Sequence, residues 1–308
     1  MKFPHAALQT GDLQERQRGA LLVFGSAAVW SLGGAIARFL SVTDSWTIVF
    51  WRSLFASAFL LGFMLWRQGW RGTGQLFGAM GLAGVGVAVC FATASTSFVV
   101  ALAHTTVANI LLMQAGVPLL AALMAYLLFR ERVAAGTWLA IVAVLVGVGI
   151  MVSDSVTGQV SPVGDGLALL IAVVFAAATV ITRRHAHVGM MPAVCLGTVI
   201  ATLVSAAMAT RFEIGAADAG LLFLFGALTL GLGMALFVTG VRRLPSALAA
   251  LIGTAESVMG PVWVWLVHGE VPAARTLAGG AVVFAALLLH LGWQFHQPRQ
   301  TAAMPLPD

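Results

Sequence analysis

The sequence predicts an all-α integral membrane protein whose ten transmembrane helices form two inverted five-helix repeats. Composition is the first observation, because 60% of the 308 residues are hydrophobic and only 9% are charged, whereas soluble domains carry about 25% charged residues. Segmentation is the second, since ten apolar runs each approach the roughly 20 residues that a spanning helix needs. Internal duplication is the third, because repeated stretches indicate an architecture built twice from one unit.

The charge pattern excludes several functional classes. The net charge of +5 comes from short basic clusters between apolar runs, which is typical of a protein in a lipid bilayer and not of a nucleic-acid binder. Lys2 is the only lysine, so a P-loop lysine is excluded and ATP-driven transport by this chain alone is not expected. Cys90 and Cys195 fall inside apolar segments and are interpreted as small core residues. No metal spacing and no catalytic constellation is visible, so we predict no cofactor, no metal, no catalytic residue and no enzymatic activity.

Ten spans are predicted in chain order, joined by short connections that leave no room for a soluble domain. They cover residues 19–39, 45–66, 75–98, 104–129, 136–153, 163–183, 190–210, 219–241, 245–267 and 273–295. The predicted organisation is a cytoplasmic tail (1–18), a first repeat (19–153), a linker (154–162), a second repeat (163–295) and a cytoplasmic tail (296–308).

Lysine and arginine predict the orientation, because cytoplasmic loops carry an excess of both. With a cytoplasmic N-terminus, the inside regions hold Lys2, Arg16, Arg18, Arg67, Arg71, Arg130, Arg132, Arg183, Arg184, Arg242, Arg243 and Arg299. The outside loops hold only Arg211 and Arg275, with Arg38 at an outer helix end. Both termini are therefore predicted to be cytoplasmic.

The duplication is clearest between the fourth and ninth spans. Residues 104–133 and 243–272 align without gaps and share a polar start, a seam of small residues, a proline-interrupted middle and a glutamate near the far end. The aligned identities are Ala108 with Ala247, Leu112 with Leu251, and Glu131 with Glu270. Because five helices per half place the halves in opposite orientations, we expect a substrate path between them near the bilayer midplane.

The first and sixth spans repeat each other as well. Residues 19–39 align with 164–184, which pairs Trp30 with Phe175 and Arg38 with Arg183. Trp30 shares a helix face with small residues. Two interpretations are open: Trp30 and Phe175 form opposite walls of an aromatic-lined pocket, or both are ordinary packing residues.

These features resemble the EamA type of the drug/metabolite transporter superfamily over residues 19–295. The similarity rests on the ten-helix plan, the inverted repeats, and a proline-centred fourth helix that ends in LLFRERV. Glu256 and Glu270 lie where that family often has Glu-Pro and Gly-Glu pairs. This chain departs at Ser257, and Pro261, one turn later, is predicted to supply the break instead.

Within the superfamily, the chain is most similar to amino-acid exporters of the YddG kind. That resemblance implies a basket of helices around a central cavity, peripheral fifth and tenth helices, and alternating access. It also implies a multi-pass protein of the bacterial inner (plasma) membrane. A monomer is compatible with a chain that contains both repeats.

Glu256 is the first candidate site residue. It lies about eleven residues into the ninth span, or roughly 16 Å deep, where an unpaired charge is costly. Its helix face, which includes Gly253 and Ser257, consists almost entirely of small residues. The interpretations are a contact to a substrate amine, a proton-coupling group, or a structural acid bonded to a neighbouring helix.

Arg52 and Asn109 are the other polar candidates at membrane depth. Arg52 could bind a substrate carboxylate through its planar fork, pair with Glu256, contact helix carbonyls, or extend outward. Asn109 is suited to lining a cavity or to joining two helices. Pro118 and Pro261 remove backbone hydrogen bonds within spans, and they are interpreted as gating hinges or as static kinks.

Two functions follow from these residues. The first is a secondary transporter that exports small metabolites, above all amino acids with aromatic or other apolar side chains, with Glu256 for the amine and Arg52 for the carboxylate. The alternative is a broad exporter of drugs or lipophilic cations that is coupled to protons through Glu256. A membrane enzyme would need clustered catalytic groups, and a channel would need a polar ring around a pore.

Overall fold

The computed structural model describes residues 5–130, 133–156, 161–185, 189–244 and 246–296, and it is all-helical there. Lys2, Glu131, Arg132, Arg299 and nearly all of the C-terminal tail lie outside these residues. The helices are α1 (His5–Arg38), α2 (Ser45–Ala79), α3 (Gly81–Ala101), α4 (Val107–Gln114), α5 (Val117–Phe129), α6 (Ala135–Val156), α7 (Pro162–Arg184), α8 (Met190–Met208), α9 (Ala216–Phe223), a π-helical segment (Leu224–Leu232), α10 (Gly233–Val241), α11 (Ser246–Gly253), α12 (Ala255–His268) and α13 (Ala274–His296).

The described helices include eight that are long and apolar enough to cross a membrane. A ninth span results if α4 and α5, which are bent by 46° relative to each other, count as one. The predicted span at 245–267 consists of α11 and α12, with Thr254 between them. The count of ten crossings therefore remains a prediction.

The third span begins later than the sequence predicted. Residues 75–79 belong to the end of α2, which is kinked at Gly69 with φ of 65° and ψ of −179°. Gly81, with φ of 56°, then starts α3. Positive φ is readily available only to glycine, so these two glycines set the boundaries that the apolar pattern could not.

The α4–α5 and α11–α12 pairs have matching interruptions. In α4–α5 the interruption lies at Ala115 and Gly116, directly before α5, whose first turn contains Pro118. Proline has no N–H to bond the carbonyl of Gln114 and clashes with that preceding turn, which accounts for the bend. In the second pair, the sequence predicted a break at Pro261, and this was wrong, because α12 is continuous through Pro261.

The break in the second pair lies at Thr254, whose side chain bonds to the preceding helix. Thr254 Oγ1 donates to Leu251 O at 2.6 Å, and Ser257 N donates to Thr254 O at 3.1 Å. A threonine hydroxyl that takes a carbonyl of its own helix competes with the backbone and bends the helix. The hydroxyl group therefore bonds a carbonyl of α11 at the point where the helix is interrupted.

The two repeats are inverted in the structure. Arg38, at the end of α1, bonds to Thr105 O, and a Cβ built on Gly164, at the start of α7, would meet Thr105. The last turn of α1 and the first turn of α7 therefore lie at one face of the bundle. Since α7 is the repeat counterpart of α1, the counterparts run in opposite directions. We call this end of the bundle the Arg38 face.

The opposite end is the Arg243 face, where the first helix meets the end of α10. Arg243 Nε donates to Glu15 Oε2 at 2.9 Å. Contacts between the helices follow the repeat symmetry: α1 packs on α10 and α12, while its counterpart α7 packs on α3 and α5. Helix α2 packs on its own counterpart α8, and α6 on α13. Helices α1, α12, α4 and α7 thus contact one another in series across the two repeats.

Candidate functional site

Glu256 lies at the interruption of the ninth predicted span. It is in the first turn of α12 and is half-buried, while Ser257 beside it is 8% exposed. A Cβ built on Gly253 would meet no atom within 4 Å, so there is open space one turn before Glu256. No residue in the described ranges donates a hydrogen bond or forms a salt bridge to the Glu256 carboxyl group. The structure thus places a lone carboxyl group one turn after a glycine whose Cβ position is open.

Arg52 is buried by α3 and the π-helical segment. Its Nη1 donates to Ser95 O at 3.2 Å and to Ser95 Oγ at 3.1 Å. Its guanidinium carbon lies 4.2 Å from the Phe225 ring centroid and 5.6 Å from that of Phe98. Nε has no partner among the described residues.

Arg52 and Glu256 are not brought together as an ion pair. Arg52 contacts residues of α3 and the π-helical segment, whereas Glu256 is on α12, which packs on α1 and α4. The guanidinium is thus paired with a helix carbonyl and a hydroxyl but with no carboxylate in the described chain. Two aromatic faces supply part of the stabilisation that a counter-ion would otherwise give.

Trp30 and Phe175 flank one apolar cluster. Both are half-buried and pack against the cluster formed by Leu60, Met64, Phe91, Val194, Cys195 and Met234. Trp30 lies 5.3 Å from the Phe237 ring centroid, and Phe175 lies 6.2 Å from that of Phe91. The structure therefore brings these repeat counterparts to the same part of the interior, while their part in binding remains a prediction.

Asn109 joins α4 to α7 close to the Arg38 face. Its Nδ2 donates to Thr105 Oγ1 at 3.0 Å and also to Asp165 Oδ1. Asn109 and Asp165 are 2% and 3% exposed. They line a cavity of about 280 Å³ together with His104 and Thr106. Asn109 thus links two helices and borders a cavity at the Arg38 face, while its part in substrate binding remains a prediction.

Comparison with known proteins settles the family. The model of the EamA-like transporter family matches residues 17–153 and 162–292, which is most of the chain. The chain belongs to the EamA-like transporter family. It is therefore a multi-pass membrane protein of a family that transports small molecules and is in general not enzymatic. No curated protein matches this EamA-like chain.

A solved structure supports the fold of this EamA-like transporter. It is described as the crystal structure of a protein, is 16% identical, and superposes with a TM-score of 0.59. The alignment covers 91% of this chain and 99% of the other. At that identity the likeness shows the fold alone.

Several residues of this EamA-like transporter were missed in the sequence. Asp165 was passed over, although a single acid at the start of an apolar span is a usable signal. Thr254 was missed because the break was predicted at Pro261 instead. Arg38 and Glu270 were noted separately as charges at helix ends, yet they form a salt bridge of 2.9 Å.

The π-helical segment of the EamA-like fold was missed as well. Glycines bring this segment and the start of α10 close to their neighbours. A Cβ built on Gly226 would meet Arg52 O, and one on Gly231 would meet the Phe59 ring. A Cβ built on Gly233, the first residue of α10, would meet the Trp30 ring. Such segments are frequent at functional sites. A run of closely spaced glycines in an apolar span was the available signal.

Proposed function

We propose that this EamA-like transporter exports amino acids with aromatic or other apolar side chains by alternating access. The observation that carries the proposal is the lone Glu256 carboxyl group, half-buried beside open space at Gly253 and without a partner in the described chain. A charged carboxylate within the membrane is costly unless it meets a cation or a proton. A substrate amine meets that need.

Arg52 is the proposed partner of the substrate carboxylate. Its guanidinium is buried, has no carboxylate partner among the described residues, and has hydrogen-bonding capacity left at Nε. The planar fork of arginine is well matched to a carboxylate. In the present arrangement Arg52 is held against Ser95, so this contact requires the guanidinium to turn away from Ser95.

The aromatic residues set the proposed substrate class. Trp30 and Phe175 come from symmetry-related helices and reach the same apolar cluster. Aromatic rings offer large apolar area and stacking geometry to an apolar or aromatic side chain. The polar groups proposed for this site are one acid and one arginine, which suits a zwitterion better than a sugar phosphate.

The orientation and location belong to the same proposal. Nine arginines of the described chain lie near the Arg243 face: Arg16, Arg18, Arg67, Arg71, Arg130, Arg183, Arg184, Arg242 and Arg243. Only Arg38, Arg211 and Arg275 lie near the Arg38 face. We assign the Arg243 face and both termini to the cytoplasm of a bacterial inner membrane, with a monomer as the functional unit.

A second function is favoured by the same lone carboxyl group. If Glu256 binds protons and cations alternately, the protein is a proton-coupled exporter of drugs or lipophilic cations. Arg52 then has no substrate contact and serves only to hold α2, α3 and the π-helical segment together. The two functions differ in whether the substrate needs a carboxylate.

Counterflow in proteoliposomes tests these functions. Vesicles are preloaded with unlabelled tryptophan, phenylalanine, threonine, methionine, a lipophilic cation or a sugar phosphate, and labelled tracer is added outside. Transient accumulation with the amino acids, absent from protein-free vesicles, supports the proposal. Accumulation with the cation alone supports the second function, and no accumulation with any of the amino acids contradicts the first.

A further inference from the structure

We propose that the ion pair between Arg38 and Glu270 is a latch that closes the Arg38 face by fastening the two repeats to each other. The idea rests on alternating access but not on the identity of the substrate. It assigns a conformational role to two residues at the rim of the transport path. The present structure is accordingly the state that is shut at the Arg38 face.

The three hydrogen bonds of Arg38 cross from α1 to two other segments. Nε donates to Glu270 Oε2 at 2.9 Å, Nη1 to Leu102 O at 2.7 Å, and Nη2 to Thr105 O at 3.0 Å. Arg38 therefore fastens the last turn of α1 to the end of α12 and to the turn between α3 and α4. Bonds between charged partners are the strong ones among protein hydrogen bonds.

Glu270 completes the connection from the other repeat. Its Oε1 accepts from Val107 N at 2.9 Å, which is the first residue of α4. A carboxylate at a helix N-terminus satisfies a free N–H and interacts favourably with the helix dipole. One carboxylate from the second repeat thus bonds to two helices of the first repeat, to α1 through Arg38 and to α4 through Val107.

The latch is partly shielded from water. The Arg38 and Glu270 side chains are 29% and 18% exposed, so the pair is neither a fully solvated surface contact nor a buried one. Exposed pairs contribute little, while shielding strengthens the attraction between the charges. A second contact lies beside it, since His268 Nε2 donates to Ala35 O at 3.0 Å.

Close helix packing lies directly beneath the latch. A Cβ built on Gly34 of α1 would lie 2.6 Å from Val107 Cγ1, and one on Gly260 of α12 would meet Leu111. Val107, Leu111 and Val264 belong to one buried apolar cluster. The ion pair therefore lies above tightly packed apolar side chains of α1, α4 and α12. A closed gate requires such packing, since water must be excluded from the path.

Cysteine accessibility tests the latch without any substrate. Cys90 and Cys195, the two natural cysteines, are replaced by alanine, and Gly253→Cys is introduced where open space receives the side chain. A membrane-impermeant maleimide is then applied to right-side-out and to inverted vesicles. Glu213→Cys, in the exposed loop before α9, reports which vesicle side presents the Arg38 face.

Opening of the latch is expected to raise labelling from the Arg38 face. Glu270→Gln or Arg38→Gln should increase that rate roughly tenfold, as expected for losing a charge-assisted hydrogen bond, and should lower labelling from the Arg243 face. Arg211→Gln, which removes an equal charge from the same face, should leave both rates unchanged.

Other outcomes overturn the latch. Equal labelling of wild type and both single variants would show that the pair does not hold the face shut, whatever substrate the protein carries. An increase for Arg211→Gln as large as that for Arg38→Gln would show a general charge effect. If a single variant is not monodisperse, because a shielded charge has lost its partner, Arg38→Gln with Glu270→Gln is measured, and unchanged labelling there also overturns the proposal.

Discussion

Ala115 and Thr254 occupy equivalent positions in the two repeats, and each interrupts its helix. When residues 104–133 are aligned with 243–272, α4 and α11 begin and end at matching positions. The helices after the breaks end alike, since Arg130 and Gly269 have φ values of 52° and 67°. The backbone is thus duplicated closely although few side chains are identical. The lone Glu256 follows this interruption in only one of the two repeats.

Glu256→Gln should abolish the pH dependence of transport while leaving the protein folded. The substitution keeps the shape of the side chain but removes its titratable group, so proton binding can no longer alter the site. Initial uptake rates of wild type and variant are measured across a pH series in proteoliposomes. Glu213→Gln, an exposed carboxyl at the Arg38 face, is the control and should keep the wild-type profile. An unchanged profile for Glu256→Gln would rule out a coupling role.

Gly253→Leu should block transport without destabilising the protein. A side chain at this position meets open space, so no steric conflict is expected in the fold, but the space beside Glu256 becomes filled. Counterflow is compared with Tm in detergent. Gly149→Leu is the matched control, because Gly149 also has no atom within 4 Å of a built Cβ and is on the exposed side of α6. Normal transport by Gly253→Leu would place the substrate elsewhere.

Arg52→Gln and Arg52→Lys should both raise the KM for amino acids by about tenfold or more, the effect of losing a charge-assisted bond to the substrate. Lysine keeps the charge but lacks the planar fork that lies over Phe225 and reaches Ser95. KM is measured for an amino acid and for its amine analogue without the carboxyl group. The analogue should show no difference between wild type and variants. Ser95→Ala, which removes only the hydroxyl contact, should lower Tm slightly and leave KM unchanged.

Gly226→Ala should destabilise the protein by about 1–3 kcal/mol, as overpacking of a tight contact does. A methyl group at Gly226 would meet Arg52 O and would lie 3.0 Å from Phe55 Cβ. The backbone atoms of α2 cannot move aside as a flexible side chain could. Tm in detergent is the measurement. Gly220→Ala, on the same transmembrane segment but with no atom within 4 Å, should leave Tm unchanged or raise it.

The sequence was informative wherever apolar length or duplication carried the signal. The positions of the spans, the inversion of the repeats and the family followed from these patterns, because a helix in lipid must satisfy its backbone internally and remain apolar. The predicted boundaries were wrong where a single residue sets the end of a helix. Gly69 kinks α2 and Gly81 starts α3 through their positive φ values, and neither change is visible in hydropathy.

The interior was harder to predict because contacts there depend on pairs from distant parts of the chain. Arg52 was recognised as a buried charge, but its partner Ser95 could not be read from spacing within a single helix. Arg38 and Glu270 were each noted, yet their pairing depends on how α1 packs on α12. Thr254 was overlooked because proline is the stronger known helix breaker, while the structure uses a hydroxyl group there.

Pro118→Ala should slow transport several-fold at saturating substrate while leaving KM unchanged. The new N–H can bond the carbonyl of Gln114, which favours a straighter joint in place of the 46° bend between α4 and α5. If that joint moves during the change of access, stiffening it lowers the rate of the conformational step and not the affinity. Maximal rates and KM are measured by uptake into proteoliposomes. Pro261→Ala is the control, because α12 passes through Pro261 without a break, and a smaller effect is expected there. Equal losses for both variants, or a changed KM for Pro118→Ala, would show that the bend at Pro118 is a static feature of the fold.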